Sequence, residues 1–240
     1  MTGAAYDLWY WPSIQGRGEF VRLALEAAGV PYRDRARDDG VEALTADMAD
    51  RDGIRPFAPP YIATQGGFAI AQVAHILAWL ADRHGFGAGD PETDLRLIML
   101  QLTVTDIVAE VHNVHHPLAG SLYYDDQKDA AKTAAKHFRE ERIPKFLEYF
   151  EDALSAKDAG PFVLGAKWGH VDTSLFQLVE GLRYMFPKRM ASVEADYPQL
   201  IACRDTVAQI DGVAAYLQSD RRIAFNADGI FRHYPELDAE

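Results

Sequence analysis

One cysteine, Cys203, is all the thiol chemistry this chain carries, which excludes an internal disulfide framework and any Cys-x-x-Cys redox pair. Basic side chains are in deficit, 24 against 36 acidic ones, and a net charge of -12 lacks the footprint that a phosphate backbone selects. Nucleic acid is therefore not an expected partner. No run of about 18 apolar residues occurs, and the N-terminus lacks a basic segment followed by an apolar one, so neither a membrane span nor a signal peptide is expected. Together with the solitary cysteine this reads as a cytoplasmic chain. Internal repeats and low-complexity stretches are absent too. What is there, 48% hydrophobic and 25% charged residues over 240 positions, is enough to bury a sizeable core.

The periodicity changes near residue 88, which divides the chain into 1–85 and 92–240 with a linker at Phe86-Gly87-Ala88-Gly89-Asp90-Pro91. In the first part, Tyr6 to Trp11 reads as a buried strand closed by Pro12, and Phe20, Val21, Ala24, Leu25 and Ala28 recur at helical spacing until Gly29 and Pro31 end the pattern. Tyr32 to Ala36 reads as a second strand, followed by a polar loop over 37–55 with room for one short helix. Tyr61 to Thr64, the turn Gln65-Gly66-Gly67 and Phe68 to Ala71 form a hairpin signal, and Val73, Ile76, Leu77 and Leu80 mark a helix ending at Gly85. Strand signals then largely disappear. Leu97, Leu100, Val104, Ile107, Val111 and Val114 predict a long amphipathic helix, and residues 126–156 predict a second, kinked at Pro144. Further helices are expected at about 171–186 and 197–218, whereas 219–240 has no clear period.

The order strand, helix, strand, irregular segment, strand, strand, helix is that of a thioredoxin-like domain, and Pro59-Pro60 stands where such domains carry a cis proline, here Pro60. An α/β thioredoxin-like N-terminal domain with an all-α C-terminal helical domain resembles the cytosolic glutathione S-transferases over about residues 5–218. Tyr10-Trp11-Pro12-Ser13-Ile14-Gln15-Gly16-Arg17, with Arg22, is similar to the N-terminal signature of the tyrosine-type classes (alpha, mu, pi, sigma). Pro60-Tyr61-Ile62, the hairpin and Gln72 resemble the family's proline, strand and glutamine sequence. Gly165-Ala166-Lys167-Trp168-Gly169-His170-Val171-Asp172 resembles its helix-start motif, with Gly169 where serine or threonine is usual. Asp172 at N3 still suits a helix start, since its carboxylate reaches the N-cap amide and opposes the helix dipole.

The resemblance implies glutathione as co-substrate, a homodimer, and attack of the glutathione sulfur on a small hydrophobic electrophile held between the domains, the chemistry of detoxification. A non-catalytic binding or structural protein that retains the fold is the alternative. Tyr10 is the expected donor to the sulfur, with Ser13 as the alternative donor of the serine-type classes, and Arg17 biases the thiolate or meets a glutathione carboxylate. On the same resemblance Pro59 and Pro60 face the cysteinyl part, Gln72 and the Val73 amide hold the γ-glutamyl end, and Asp106 reaches it across the dimer. Arg51, or Arg55, meets the glycine carboxylate.

Some positions depart from the family pattern. Val73 lacks the hydroxyl that serine or threonine supplies, Pro59 has no N–H, and Tyr10 stands one residue further from Gly16 than is typical. Asp106 shares a predicted polar stripe with Arg96, Thr103 and Glu110, which also reads as a solvated helix face. His112 and His116 are i, i+4, but no HExxH pattern occurs and Pro117 ends the segment. No metal is expected there; these histidines with His115, Tyr123 and Tyr124 border the second-substrate pocket or the surface. Cys203 reads as a small buried apolar residue.

Overall fold

The computed structural model describes residues 4–156 and 160–239. Four strands form one sheet in the order β2-β1-β3-β4: β1 Tyr6–Trp9, β2 Tyr32–Asp34, β3 Tyr61–Thr64 and β4 Ala69–Ala71. β1 runs parallel to β2 and antiparallel to β3, and β3 and β4 are the expected hairpin. Because side chains alternate across a strand, Tyr6 and Leu8 enter the main core with Ile62 and Ile70, while Trp9 faces the other way and stacks on Tyr61 in a small cluster with Ala36 and Leu44.

The parallel β1–β2 pair is joined by helix α1 Gly18–Ala27, which ends where Gly29 adopts a left-handed φ of 63°. The second strand is shorter than its sequence pattern predicts: Arg35 already starts α2 Arg35–Asp39, and α3 Val41–Asp50 follows. The polar stretch after β2 is thus largely helical, with Leu44 as its buried anchor. The Pro59-Pro60 peptide is cis. Helix α4 Val73–His84 closes on Gly85 at φ 75°. Phe86, placed in the linker by the sequence, is buried and stacks on Trp168 at 5.1 Å, so it ties the linker to the helical part.

Helix α5 Pro91–His115 starts at a conventional cap, with Asp90 accepting the Thr93 N–H at 3.0 Å and Pro91 in the first turn. Length and a mean hydropathy of 1.2 would let it cross a membrane, but it packs on α4 and on two helices of the second part. The single kinked helix expected over 126–156 is instead α6 Lys128–His137, a π-helical turn Phe138–Arg142, and α7 Ile143–Ser155. Pro144 has no N–H to continue the regular ladder, and the wide turn just before it lets the chain start again with proline in the first turn of α7.

Helix α8 His170–Met185 is buried nearly all round and packs on α1, α5 and the later helices. Its start bears out the reading of Asp172, whose carboxylate accepts the Gly169 N–H at 2.7 Å. α9 Pro187–Val193 follows, and the segment 197–218 divides into α10 Pro198–Val207 and α11 Asp211–Leu217. Cys203 is buried, as expected.

Residues 219–239 lie as a strap across both parts. Arg37 donates to the carbonyls of Asp220 and Arg221, Gln15 to that of Ile223, Asn226 donates to that of Ser13, and Asp238 accepts from the Lys188 and Arg189 amides at the start of α9. Such a segment has no period to read, because its partners come from elements and loops distant in the chain.

Candidate functional site

Tyr10 leaves the end of β1 and turns beneath the start of α1. It is 4% exposed, and its phenol oxygen accepts the Arg17 N–H at 2.9 Å. Two glycines make room for the ring. A Cβ on Gly16 would stand 2.1 Å from the phenol oxygen and one on Gly18 would stand 2.6 Å from the ring, and Gly16 also holds a φ of 47° that favours glycine. Burial is the main cause that pushes the Tyr10 hydroxyl above its ordinary pKa, partly offset by the Arg17 amide and the Arg17 and Arg22 charges. The phenol is therefore a protonated group.

A cavity of about 190 Å³ lies between the cis-proline loop, the start of α4 and the inner face of α5. From the α/β part come Arg17, Phe20, Phe57 to Pro60, Ala71, Gln72 and Val73; from α5 come Gln101, Val104, Thr105 and Val108. Arg17, Pro59, Pro60, Gln72 and Val73 are thus brought together in one lining. Tyr10 and Ser13 do not line this cavity. Ser13 has an exposed side chain, and its carbonyl is held by Asn226 of the strap.

Two backbone features shape the polar end. Gln72 is a non-glycine residue at φ 70°, an uncommon conformation of the kind that clusters at ligand sites. It is also the N-cap of α4 without a side-chain cap, so the first amides of a twelve-residue helix face the cavity end with the positive pole of the dipole behind them. A carboxylate fits there. Arg17 supplies the cationic side chain of the lining, and among the described residues its guanidinium forms no hydrogen bond or ion pair.

Arg51 and Arg55 line a separate groove of about 830 Å³ that meets the first at Ala71. The Arg51 guanidinium pairs with Asp47 at 2.7 Å and sits over the Tyr61 ring. Asp106 is exposed on α5, but its stripe is not wholly polar: Leu95, Met99 and Leu102 precede it on the same face at steps of four and three and are exposed. His112 lies one turn beyond Val108 on α5, and His115 and His116 stand at its C-terminal end. His115 is buried and its Nε2–H donates to the Ile230 carbonyl at 2.8 Å, leaving its Nδ1 to accept from His116 at 2.6 Å. Burial pushes His115 down to about 3 and lowers His112 and His116 as well. His112 also feels the Arg17 charge. Tyr124 stacks on Tyr234 of the strap, and Tyr123 is exposed.

Gln101 and Thr105 are cavity residues that the sequence reading missed. The signal was present in Gln101: it is a polar residue inside the buried stripe of Leu97, Leu100 and Val104. Its Oε1 accepts from His170 Nδ1 at 3.1 Å and from the Ser174 hydroxyl at 3.0 Å. Burial lowers His170 to about 4, so that contact is made by a neutral ring.

Residues 112–220 match the family described as glutathione S-transferase, C-terminal domain. The chain is 27% identical over 209 residues to glutathione S-transferase A of Cavia porcellus, covering 86% of this chain and 87% of that protein. It is 25% identical over 221 residues to the class-mu 26 kDa glutathione S-transferase isozyme of Schistosoma mansoni, covering 92% and 91%. Among solved structures it is similar to the Pi-class glutathione S-transferase of Onchocerca volvulus, with a TM-score of 0.68 at 20% identity over 89% of this chain and 92% of that one.

Proposed function

Because the chain is built on the glutathione S-transferase fold and carries that family's C-terminal domain over residues 112–220, we propose that it is a glutathione transferase, with residues 1–85 binding glutathione and 92–240 completing the pocket for a small hydrophobic electrophile. The observation that carries this reading is the cavity in which Arg17, Pro59, Gln72 and Val73 meet the apolar face of α5. The γ-glutamyl carboxylate takes the amides at the start of α4, the cysteinyl N–H is accepted by the Pro59 carbonyl, and the sulfur faces Arg17.

Arg17 and Tyr10 divide the work of activation. A thiol of ordinary pKa, about 8.5, must be lowered by about two units to ionise at neutral pH, worth about 2.7 kcal/mol. A guanidinium about 4 Å from sulfur supplies up to about 4 kcal/mol at the effective dielectric of a protein surface. Tyr10 fixes the Arg17 backbone from beneath through the 2.9 Å bond. Its role is then to position that charge, in place of the direct contact with sulfur expected from its motif.

Turnover of 1-chloro-2,4-dinitrobenzene with glutathione, measured from pH 5.5 to 9, separates these roles. Arg17→Ala raises the apparent pKa of bound thiol and lowers kcat/KM at pH 6.5 by at least about tenfold. Tyr10→Phe keeps most of that activity, and Ser13→Ala is close to the parent. Loss in Tyr10→Phe with Arg17→Ala unaffected restores the phenol as sulfur donor, and loss in Ser13→Ala alone moves the chain to the serine type. Absence of both turnover and retention on immobilised glutathione in the parent supports the second reading, a non-catalytic relative, which the missing Pro59 N–H and Val73 hydroxyl favour.

The same reading makes the protein a homodimer. Phe57 is 95% exposed beside the cavity, and Leu95, Met99 and Leu102 form an open apolar stripe leading to Asp106. A second copy covering this stripe brings Asp106 to the γ-glutamyl amine of its partner's glutathione. Sedimentation of the parent as a dimer and of Met99→Glu as a monomer is expected; a monomeric parent refutes it. The solitary Cys203 suits a cytoplasmic setting.

A further inference from the structure

Arg17 stands between two glycines, Gly16 and Gly18, so its own neighbours do little to fix where its guanidinium points. The residues on either side of that link are held instead by a closed ring of side chains. Gln177 of α8 donates to the Gln15 side-chain oxygen at 2.8 Å, and Arg222 of the strap donates to the Gln177 oxygen at 3.1 Å and, through its other terminal nitrogen, to the Glu19 carboxylate at 2.5 Å. Arg22 closes the ring, donating to the second Glu19 oxygen at 3.1 Å and to the Gln15 carbonyl at 3.3 Å. Gln15, Glu19, Arg22 and Gln177 are buried, and the Arg222 side chain is only 12% exposed, so water does not compete for these bonds. The Gln15 side-chain nitrogen also donates to the carbonyl of Ile223, next to Arg222 in the strap. Tyr216 adds a 2.8 Å bond to Glu19, and the Arg22 guanidinium lies over the Tyr10 ring at 5.9 Å.

From this ring we propose that Arg222 is a positioning residue for thiol activation: it grips Glu19 directly and Gln15 through Gln177, and so holds the Gly16-Arg17-Gly18 link, and with it the Arg17 charge, beside the sulfur. The proposal rests on the transferase reading with Arg17 facing the sulfur, and adds that a residue from the far end of the chain sets where that charge stands. An arginine suits the task, because its planar fork presents two donors in a fixed geometry, one here for a carboxylate and one for an amide. Bonds in a buried ring support one another, so opening it at one member loosens the rest. Attraction between charges falls with their separation, and a guanidinium that wanders from the sulfur stabilises the thiolate less. Removal of Arg222 leaves Glu19 with Arg22 and Tyr216, so no buried charge stands alone. The expected result is a looser link in a folded chain.

The test titrates the thiol of bound glutathione, through the ultraviolet absorbance of the thiolate at saturating glutathione, in the parent, Arg222→Met, Arg222→Lys and Gln177→Met. Each substitution opens the ring, and only Arg222→Met changes the charge. All three should raise the apparent pKa of the bound thiol by at least about half a unit and lower kcat/KM for 1-chloro-2,4-dinitrobenzene at pH 6.5 by about threefold or more. In an Arg17→Ala background Arg222→Met should add no further shift, as coupling through that side chain requires. Asp238→Asn, which loosens the strap at α9 without touching the ring, should melt lower than the parent and titrate like it. A thiol pKa unchanged in Arg222→Met, a parent-like titration in Arg222→Lys or Gln177→Met, a further shift in the Arg17→Ala background, or an equal shift in Asp238→Asn overturns the proposal and leaves the transferase reading standing. A parent that neither turns over nor is retained on immobilised glutathione overturns both. If Arg222→Met does not fold, Arg222→Lys and Gln177→Met decide by the same shift.

Discussion

On the α/β side the site is mainly backbone geometry, with a cis Pro59-Pro60 peptide and Gln72 at φ 70° in the cavity wall and, outside the lining, a glycine-lined seat for Tyr10. On the α5 side it is side chains on a regular helix, with Val104 and Val108 giving apolar surface and Gln101 and Thr105 giving polarity. The first arrangement suits a constant ligand recognised through its main-chain-like groups, because backbone groups change only when the fold does. The second suits a variable ligand, because one side chain can be exchanged without disturbing the helix that carries it.

The comparison is broken most severely at Gly16. In Gly16→Ala the new Cβ meets the Tyr10 phenol oxygen at 2.1 Å and the left-handed φ is strained, so a stability loss above about 2 kcal/mol and a several-fold loss of turnover are expected. A melting curve and kcat/KM on the same preparation check it; unchanged melting would show that the Tyr10 seat is not rigid.

Acid sharpens the comparison from the helical side. His115 and His170 have folded pKa values of about 3 and about 4, below the ordinary 6.5, because burial disfavours the imidazolium. The unfolded chain therefore takes up protons first as pH falls, so stability is complete above about 6.5 and is lost on acidification toward the folded values. At pH 5 each histidine costs about 2 kcal/mol. Tm should drop between pH 7 and pH 5, and the drop should shrink in His115→Gln with His170→Asn, which keep the donor at the bonded ring position. An unchanged slope in that double variant assigns the loss to other groups.

The smallest effect tests the backbone wall by addition. Val73→Ser supplies a hydroxyl at the start of α4 and should lower the KM for glutathione by up to about tenfold without changing that for the electrophile. No change would mean that the helix amides alone hold the carboxylate.

Much of the α/β part was legible because its signals are local. The hairpin around Gln65-Gly66-Gly67, the stop at Gly29 and the helix from Val73 follow from turn chemistry and period. In the polar stretch 37–55 the sequence left room for one short helix where the fold has α2 and α3, because only Ala36 and Leu44 mark their buried sides. In the second part Pro144 announced a break, but its form as a π-helical turn depends on how α6 and α7 pack.

Residue chemistry was enough to decide the order of the strands and the acidic helix start at Asp172, and motif resemblance named Arg17, Pro59, Pro60, Gln72 and Val73, which line the cavity with others it did not name. Each of these depends on neighbours within a few positions or on a linear motif. Only the packed molecule decided that Arg17 faces the cavity while Tyr10 lies beneath it, that Gln101 keeps an unpaired nitrogen in the wall, and that the aperiodic C-terminal strap grips Ser13 and His115. Burial and hydrogen-bond satisfaction are set by groups brought from distant parts of the chain, as the Asn226 bond to Ser13 shows, and no local pattern encodes that meeting.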